Sequence, residues 1–257
     1  MKFAKSVAQA ILPVVVFEKL QAIRSRRRQV RLLKRAGLLD AATSYIKRNG
    51  CTIRNGPFAG TIYPPDAASS RLSIPQLMGT YEQELHDVIN AIGQRKYDVV
   101  IDIGCAEGYY AVGLERLLKT KVLAYDPEPI ERAYCQDAAR LNDVSSLVEL
   151  KTLFLPSDIE QFRGLRVLCV CDCEGFEAKI FNTETVPSTE KWDLIIELHG
   201  DATQQLTSLA WPQKTRTIPS VPRVETYPEL AGLGDQKRLL SEGRPTPQTW
   251  LWCDSQA

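Results

Sequence analysis

Apolar positions along the chain change their spacing near residue 96. Before it, Tyr81, Leu85, Val88, Ile89 and Ile92 recur at intervals of three and four, which predicts a helix over 80–92. After it, short apolar runs alternate with amphipathic stretches. Strands are predicted over 98–103, 121–125, 147–151, 165–171 and 192–198, and helices over 109–118, 128–141, 175–181 and 202–210. Repeated strand-helix units with wholly apolar strands imply a parallel sheet covered on both faces. Residues 223–227 and 249–252 are candidate strands for a terminal antiparallel pair. The expected fold is therefore α/β, a mostly parallel Rossmann-like sheet with an antiparallel C-terminal strand and helices on both faces.

Upstream, Leu20, Ile23, Val30, Leu33, Ala36 and Leu39 follow near-helical spacing with basic residues between them. Residues 1–50 hold 12 basic and 2 acidic side chains, so the chain's net charge of +1 conceals a basic arm on a mildly acidic body. Residues 14–48 thus read either as a basic amphipathic helix for an anionic membrane surface or acidic partner, or as a helix docked on the body with a solvated Arg face. No RNA-binding aromatic motif accompanies the charge, and no nucleic-acid partner is expected. The apolar stretch 7–17 is followed by Glu18 and Lys19 rather than a small-residue cleavage site, unlike a secretory signal. Residues 51–75, rich in Gly, Pro, Ser and Tyr, read as an ordered loop region with a hairpin around 56–63. This gives an arm over 1–50, a covering segment over 51–95 and a core over 96–257.

Seven cysteines, an odd number, point to free thiols in a reducing cytoplasm, with the arm allowing peripheral contact at the inner membrane surface. Cys169, Cys171 and Cys173 alternate in an apolar run, which reads as a buried strand rather than a zinc site, and no metal is assigned.

In open parallel sheets ligands bind beyond the carboxyl ends of the strands, where the strand order reverses. There the sequence reads Asp102, Ile103, Gly104, Cys105, Ala106, Glu107, Gly108. Gly104 and Gly108 allow a tight turn against a ligand. A dinucleotide fingerprint would need glycines at 106 and 109, where Ala106 and Tyr109 stand, so NAD is disfavoured. The next strand ends in Tyr125-Asp126, an acid at the interval that serves ribose hydroxyls. A nucleoside without pyrophosphate, S-adenosylmethionine, satisfies both features.

Together with Cys171-Asp172-Cys173-Glu174-Gly175-Phe176-Glu177, Ile195-Ile196-Glu197-Leu198-His199, Gly79 to Leu85, and Trp250-Leu251-Trp252, these residues resemble class I S-adenosylmethionine-dependent methyltransferases of the FkbM type over residues 56–253. Ala106 stands where such proteins often have Asn, and Cys173 where an aliphatic residue is usual. The resemblance implies that Asp102, Gly104, Cys105, Ala106, Glu107 and Gly108 take the methionine part of the cofactor. Asp126, Pro127 and Glu128 would take the ribose, and residues 153–158 would border adenine. Asp172 would serve both cofactor and acceptor, a small molecule or glycan, beside Glu174, Glu197 and His199.

Two mechanisms are open for a hydroxyl acceptor. Neutral His199 is the base with Asp172 orienting it and Glu197 beside it, or Asp172, Glu174 and Glu197 hold magnesium on the acceptor oxygen. N-methylation and a methyltransferase-like adaptor anchored by the arm are the alternative functions. Asp102 and Asp126 have a competing role as helix caps, and Glu177 reads as a helix-dipole partner rather than a catalytic group. His86 is read as structural, and Trp250 and Trp252 as core.

Overall fold

The computed structural model describes residues 37–71, 73–223, 225–242 and 247–256. Most of the basic stretch 14–48 lies outside them. Its end forms α1 (Leu38–Asn49), which begins after Gly37, buries Leu39, and places Leu38, Ala41, Ala42 and Tyr45 in the main apolar cluster. No helix among the described residues is long and apolar enough to cross a membrane.

The covering segment contains two short helices, α2 (Pro65–Ser70) and α3 (Ile74–Met78), each with proline in its first turn. Proline there loses no hydrogen bond and presets φ. The expected hairpin is reduced to one antiparallel bridge, Thr52 with Ile62. The helix expected over 80–92 starts late: Glu82 sits at φ 47°, a single tight turn follows at Gln83–Leu85, and α4 runs His86–Ile92. Glu82 is held in this conformation by partners on both sides, its N–H donating to Glu242 and its carboxylate accepting from the Tyr110 hydroxyl.

The core follows the alternating pattern: β1 (Val99–Ile103), α5 (Tyr109–Leu118), β2 (Val122–Tyr125), α6 (Pro129–Leu141), β3 (Val148–Lys151), β4 (Val167–Cys171), α7 (Glu177–Ile180), β5 (Trp192–Glu197), α8 (Ala202–Thr207), β6 (Lys214–Pro219), α9 (Gln236–Leu239) and β7 (Thr249–Asp254). The strands form one sheet in the order β3-β2-β1-β4-β5-β7-β6. Pairs from β3 through β5 are parallel, and β7 runs antiparallel to both neighbours. This is the mostly parallel, Rossmann-like sheet with an antiparallel C-terminal strand expected from the sequence. Alternate residues feed two apolar clusters, Val100, Leu168, Ile195 and Trp250 on one face, Ile101, Cys169, Leu194 and Leu251 on the other. Trp250 and Trp252 are core residues.

One strand differs from expectation. The partner of β7 is β6, over 214–219, while 223–227 forms no strand among its described residues. The edge strand has one buried residue, Ile218, so it lacks the apolar signal that marks the interior strands. The antiparallel strand is pinned below the sheet by Asp193 of β5, which accepts from Arg95 at 2.7 Å, Tyr97 at 2.6 Å and the Ser255 N–H at 2.8 Å.

Candidate functional site

Strand order reverses between β1 and β4, and hydrogen bonds carry the ladder past the strand ends there. Gly104 N–H donates to Tyr125 O at 2.8 Å, and Asp172 N–H to Ile103 O at 2.9 Å. Gly104, Asp126 and Asp172 are thereby set side by side at the sheet's edge. Gly104 has φ 87°, and a Cβ on it would stand 1.7 Å from Asp172 O. Both the turn and the approach of the two loops require glycine.

Above this edge lies a cleft of about 600 Å³. Gly104, Ala106, Asp126, Pro127, Glu128 and Asp172 line it, with Leu153, Phe154 and Phe176 supplying apolar wall. Tyr125 and Phe154 meet edge to face with centroids 5.1 Å apart. Asp126 accepts from Ala106 N–H at 3.0 Å and Glu128 N–H at 2.8 Å, tying the first two loops together. Its pKa is raised by burial, against the pull of those hydrogen bonds.

The remaining cofactor candidates do not reach the cleft wall. Asp102 is buried beneath it with Oδ2 unpartnered, and burial, with Asp126 and Asp172 nearby, pushes its pKa well up. Cys105 is buried, and a Cβ on Gly108 would meet Cys135 Sγ at 2.8 Å, so this glycine serves helix packing. Glu107 turns to the Tyr63 hydroxyl and Arg71. Arg71, which the sequence reading did not select, also bonds Glu131 at 2.7 Å and contributes the cleft's basic side chain. It is an isolated cation in a segment without periodicity, and nothing in the pattern marks it.

At the other end of Asp172, His199 follows β5. Its Nε2 lies 3.7 Å from Asp172 Oδ1, 3.7 Å from Glu197 Oε1 and 3.9 Å from Glu174 Oε2. These are charge contacts, too long for hydrogen bonds. Its Nδ1 lies 3.0 Å from Oε1 of Glu177. That hydrogen bond, followed by the surrounding carboxylates and against burial, raises the His199 pKa above 6.5. Glu177 is lowered, because the bonds from His199, Cys173 N–H and Gly175 N–H outweigh its burial. The three proposed reaction residues His199, Asp172 and Glu197 are therefore together. Glu174 is 89% exposed, whereas buried Glu82 brings an oxygen within 4.8 Å of oxygens of Asp172 and Glu197. Glu82 and Glu177 were the missed acids. Glu177 belongs to the Cys171–Glu177 stretch after β4, and sequence spacing does not distinguish capping from contact with a histidine 22 residues on. His86 lies 3.3 Å from the Tyr81 carbonyl, consistent with its structural reading.

No family model and no curated protein matches the chain. Among solved structures, it is similar to a precorrin-8w decarboxylase of Methanobacterium thermoautotrophicum at 14% identity and TM-score 0.48, covering 66% of this chain and 89% of that one. The O-methyltransferase TomG of Streptomyces achromogenes, in complex with S-adenosylmethionine, aligns at 13% identity and TM-score 0.46, over 70% and 82%. A precorrin-6y C5,15-methyltransferase of Geobacter metallireducens aligns at 12% and 0.42, over 66% and 87%.

Proposed function

We propose that the protein is an S-adenosylmethionine-dependent methyltransferase acting on a hydroxyl of a small molecule or glycan, with the FkbM type as its subfamily. The cleft carries this reading, since bare backbone at Gly104, an acid at Asp126 and the unpartnered Oδ1 of Asp172 surround one volume at the strand switch. Its size suits a nucleoside bearing an amino-acid tail. Gly104 leaves room for the tail, Asp126 has lone pairs left to accept from ribose hydroxyls, and Leu153 and Phe154 offer apolar surface to a base.

When bound, S-adenosylmethionine supplies a methyl group activated by its sulfonium. The chain's contribution is alignment and proton removal. Nε2 of His199, once unprotonated, takes the acceptor's hydroxyl proton, while Asp172 and Glu197 hold the resulting imidazolium by charge. Arg71 secures the covering segment to Glu107 and Glu131 and so closes one wall of the cleft. Action in the cytoplasm, with peripheral membrane or protein contact through residues 14–48, belongs to the same proposal.

Calorimetry tests it. S-adenosylhomocysteine binding in the micromolar range with no heat from NAD is expected; NAD binding without S-adenosylhomocysteine binding would replace the reading with a nicotinamide enzyme.

A further inference from the structure

Glu177 is wholly buried, and one of its oxygens gathers donors from two separate loops. Oε1 accepts from Cys173 N–H at 2.9 Å and Gly175 N–H at 3.2 Å in the loop after β4, and meets Nδ1 of His199 at 3.0 Å in the loop after β5. We infer that Glu177 is the positioning residue of this site, fixing His199 as its Nδ1–H tautomer with the bare Nε2 turned toward Asp172 and Glu197. The assignment rests on the methyltransferase reading only for what Nε2 then does.

The argument is one of hydrogen-bond capacity. An ionised carboxylate can only accept, so the imidazole atom facing it must carry the hydrogen. A neutral histidine has one ring proton, and placing it on Nδ1 leaves the lone pair on Nε2. Glu177 is kept ionised by its hydrogen bonds, the one from His199 foremost and those from the Cys173 and Gly175 N–H groups after it, which together outweigh burial. The ring is thus oriented by a group with no surface of its own, which fits orientation of a base rather than contact with a ligand.

Neighbours of the ring come from several elements. Glu177 lies on α7, Asp172 and Glu174 in the loop after β4, and Glu197 on β5. Glu82 of the covering segment stands behind Asp172 and Glu197. All are acidic, yet only Glu177 meets a ring nitrogen at hydrogen-bond distance. The others favour the charged ring; Glu177 alone chooses which nitrogen is bare in the neutral ring.

The chain has two histidines, which makes the test direct. In long-range nitrogen-proton NMR spectra of the full-length native protein, one ring at alkaline pH should show the Nδ1–H tautomer and vanish in His199→Gln. In Glu177→Gln the amide keeps an oxygen for the loop N–H groups but loses the charge and gains an NH2 that can face Nδ1. The tautomer should become mixed or reverse, the His199 titration midpoint should fall, and His86 should be unmoved. Turnover on the alkaline plateau should drop about tenfold to a hundredfold, part of what a positioned base supplies, with KM unchanged. An Nε2–H tautomer in the native protein overturns the assignment, as does a Glu177→Gln protein with native tautomer and midpoint, whatever its stability. If Glu177→Gln does not fold, the native spectrum decides alone. These spectra need neither cofactor nor acceptor, so failure of S-adenosylhomocysteine binding is a separate result.

Discussion

Both ends of the sheet bury acids, and they treat them oppositely. At the lower end Asp193 is 0% exposed, and both its oxygens are occupied by Arg95, Tyr97, the Ser255 N–H and the Ser255 hydroxyl. At the upper end Asp102 Oδ2, Asp172 Oδ1 and Glu177 Oε2 are buried without hydrogen-bond partners. A buried polar group left unpaired costs about 1 to 3 kcal/mol, so three at one edge mark where the chain has spent stability. The lower end is built to close the fold around β7, and the upper end keeps polar capacity for the proposed cofactor and acceptor.

The sharpest way to test that contrast is to remove one group from each end. His199→Ala should lower turnover by about 10² to 10⁴ while S-adenosylhomocysteine affinity and thermal stability stay near native, because the ring lies off the cofactor cleft. Chelation should leave native activity intact. Loss of activity in EDTA with recovery in magnesium would move the proton-removing role to a cation. Asp193→Ala should do the reverse, costing about 1 to 3 kcal/mol of stability by leaving the Tyr97 hydroxyl and the Ser255 N–H and hydroxyl without their acceptor while Arg95 keeps Asp254, with site chemistry unchanged in the folded fraction. Chemical denaturation followed beside activity separates the two outcomes. Should Asp193→Ala weaken cofactor binding specifically, the division between the ends fails.

Asp126 lies between these extremes, since it both braces two loops and lines the cleft. Asp126→Ala should reduce S-adenosylhomocysteine affinity by about 1 to 3 kcal/mol through lost charge-assisted bonds to ribose. Unchanged affinity by calorimetry would leave Asp126 as a loop brace only.

The same contrast explains what the sequence could disclose. β1, β2, β4 and β5 are buried along their whole length, and a mainly apolar run, broken only by Asp102 in β1 and by Asp193 and Glu197 in β5, is a signal one can read locally. Edge strand β6 and helix α2 bury few of their residues, so their positions depend on the packed body rather than on their own residues. In the site, Gly104 and Asp126 were legible because their duties are backbone duties at fixed distances from a strand end. Glu177, Glu82 and Arg71 act through partners remote in sequence, and Glu107, inside the legible loop, faces away from the cleft for the same reason. Local spacing tells where a strand stops; it does not tell which way a neighbouring side chain turns.

The smallest expected effect is on stability against pH, and its sign follows from the two partners of the Glu177–His199 bond. His199 has its pKa raised above 6.5 in the folded protein, so its contribution is fully present below 6.5 and is lost as pH climbs through the folded value. Glu177 has its pKa lowered below 4.5, so its contribution is present above 4.5 and is lost as pH falls through its folded value. The pair therefore stabilises most between these limits. The ring is partly solvated, and screening keeps the effect to about 1 kcal/mol. Activity runs against stability on the alkaline side, because the base works only once the ring has given up its proton. Denaturation midpoints of native protein and Glu177→Gln should differ most between pH 4.5 and 6.5 and draw closer at higher pH, where the imidazolium charge is gone, the Nδ1–H and loop N–H bonds remain, and the native turnover reaches its plateau. A stability difference that persists unchanged into alkaline solution would make Glu177 a brace for the loop N–H groups of Cys173 and Gly175, with the imidazole a passive neighbour.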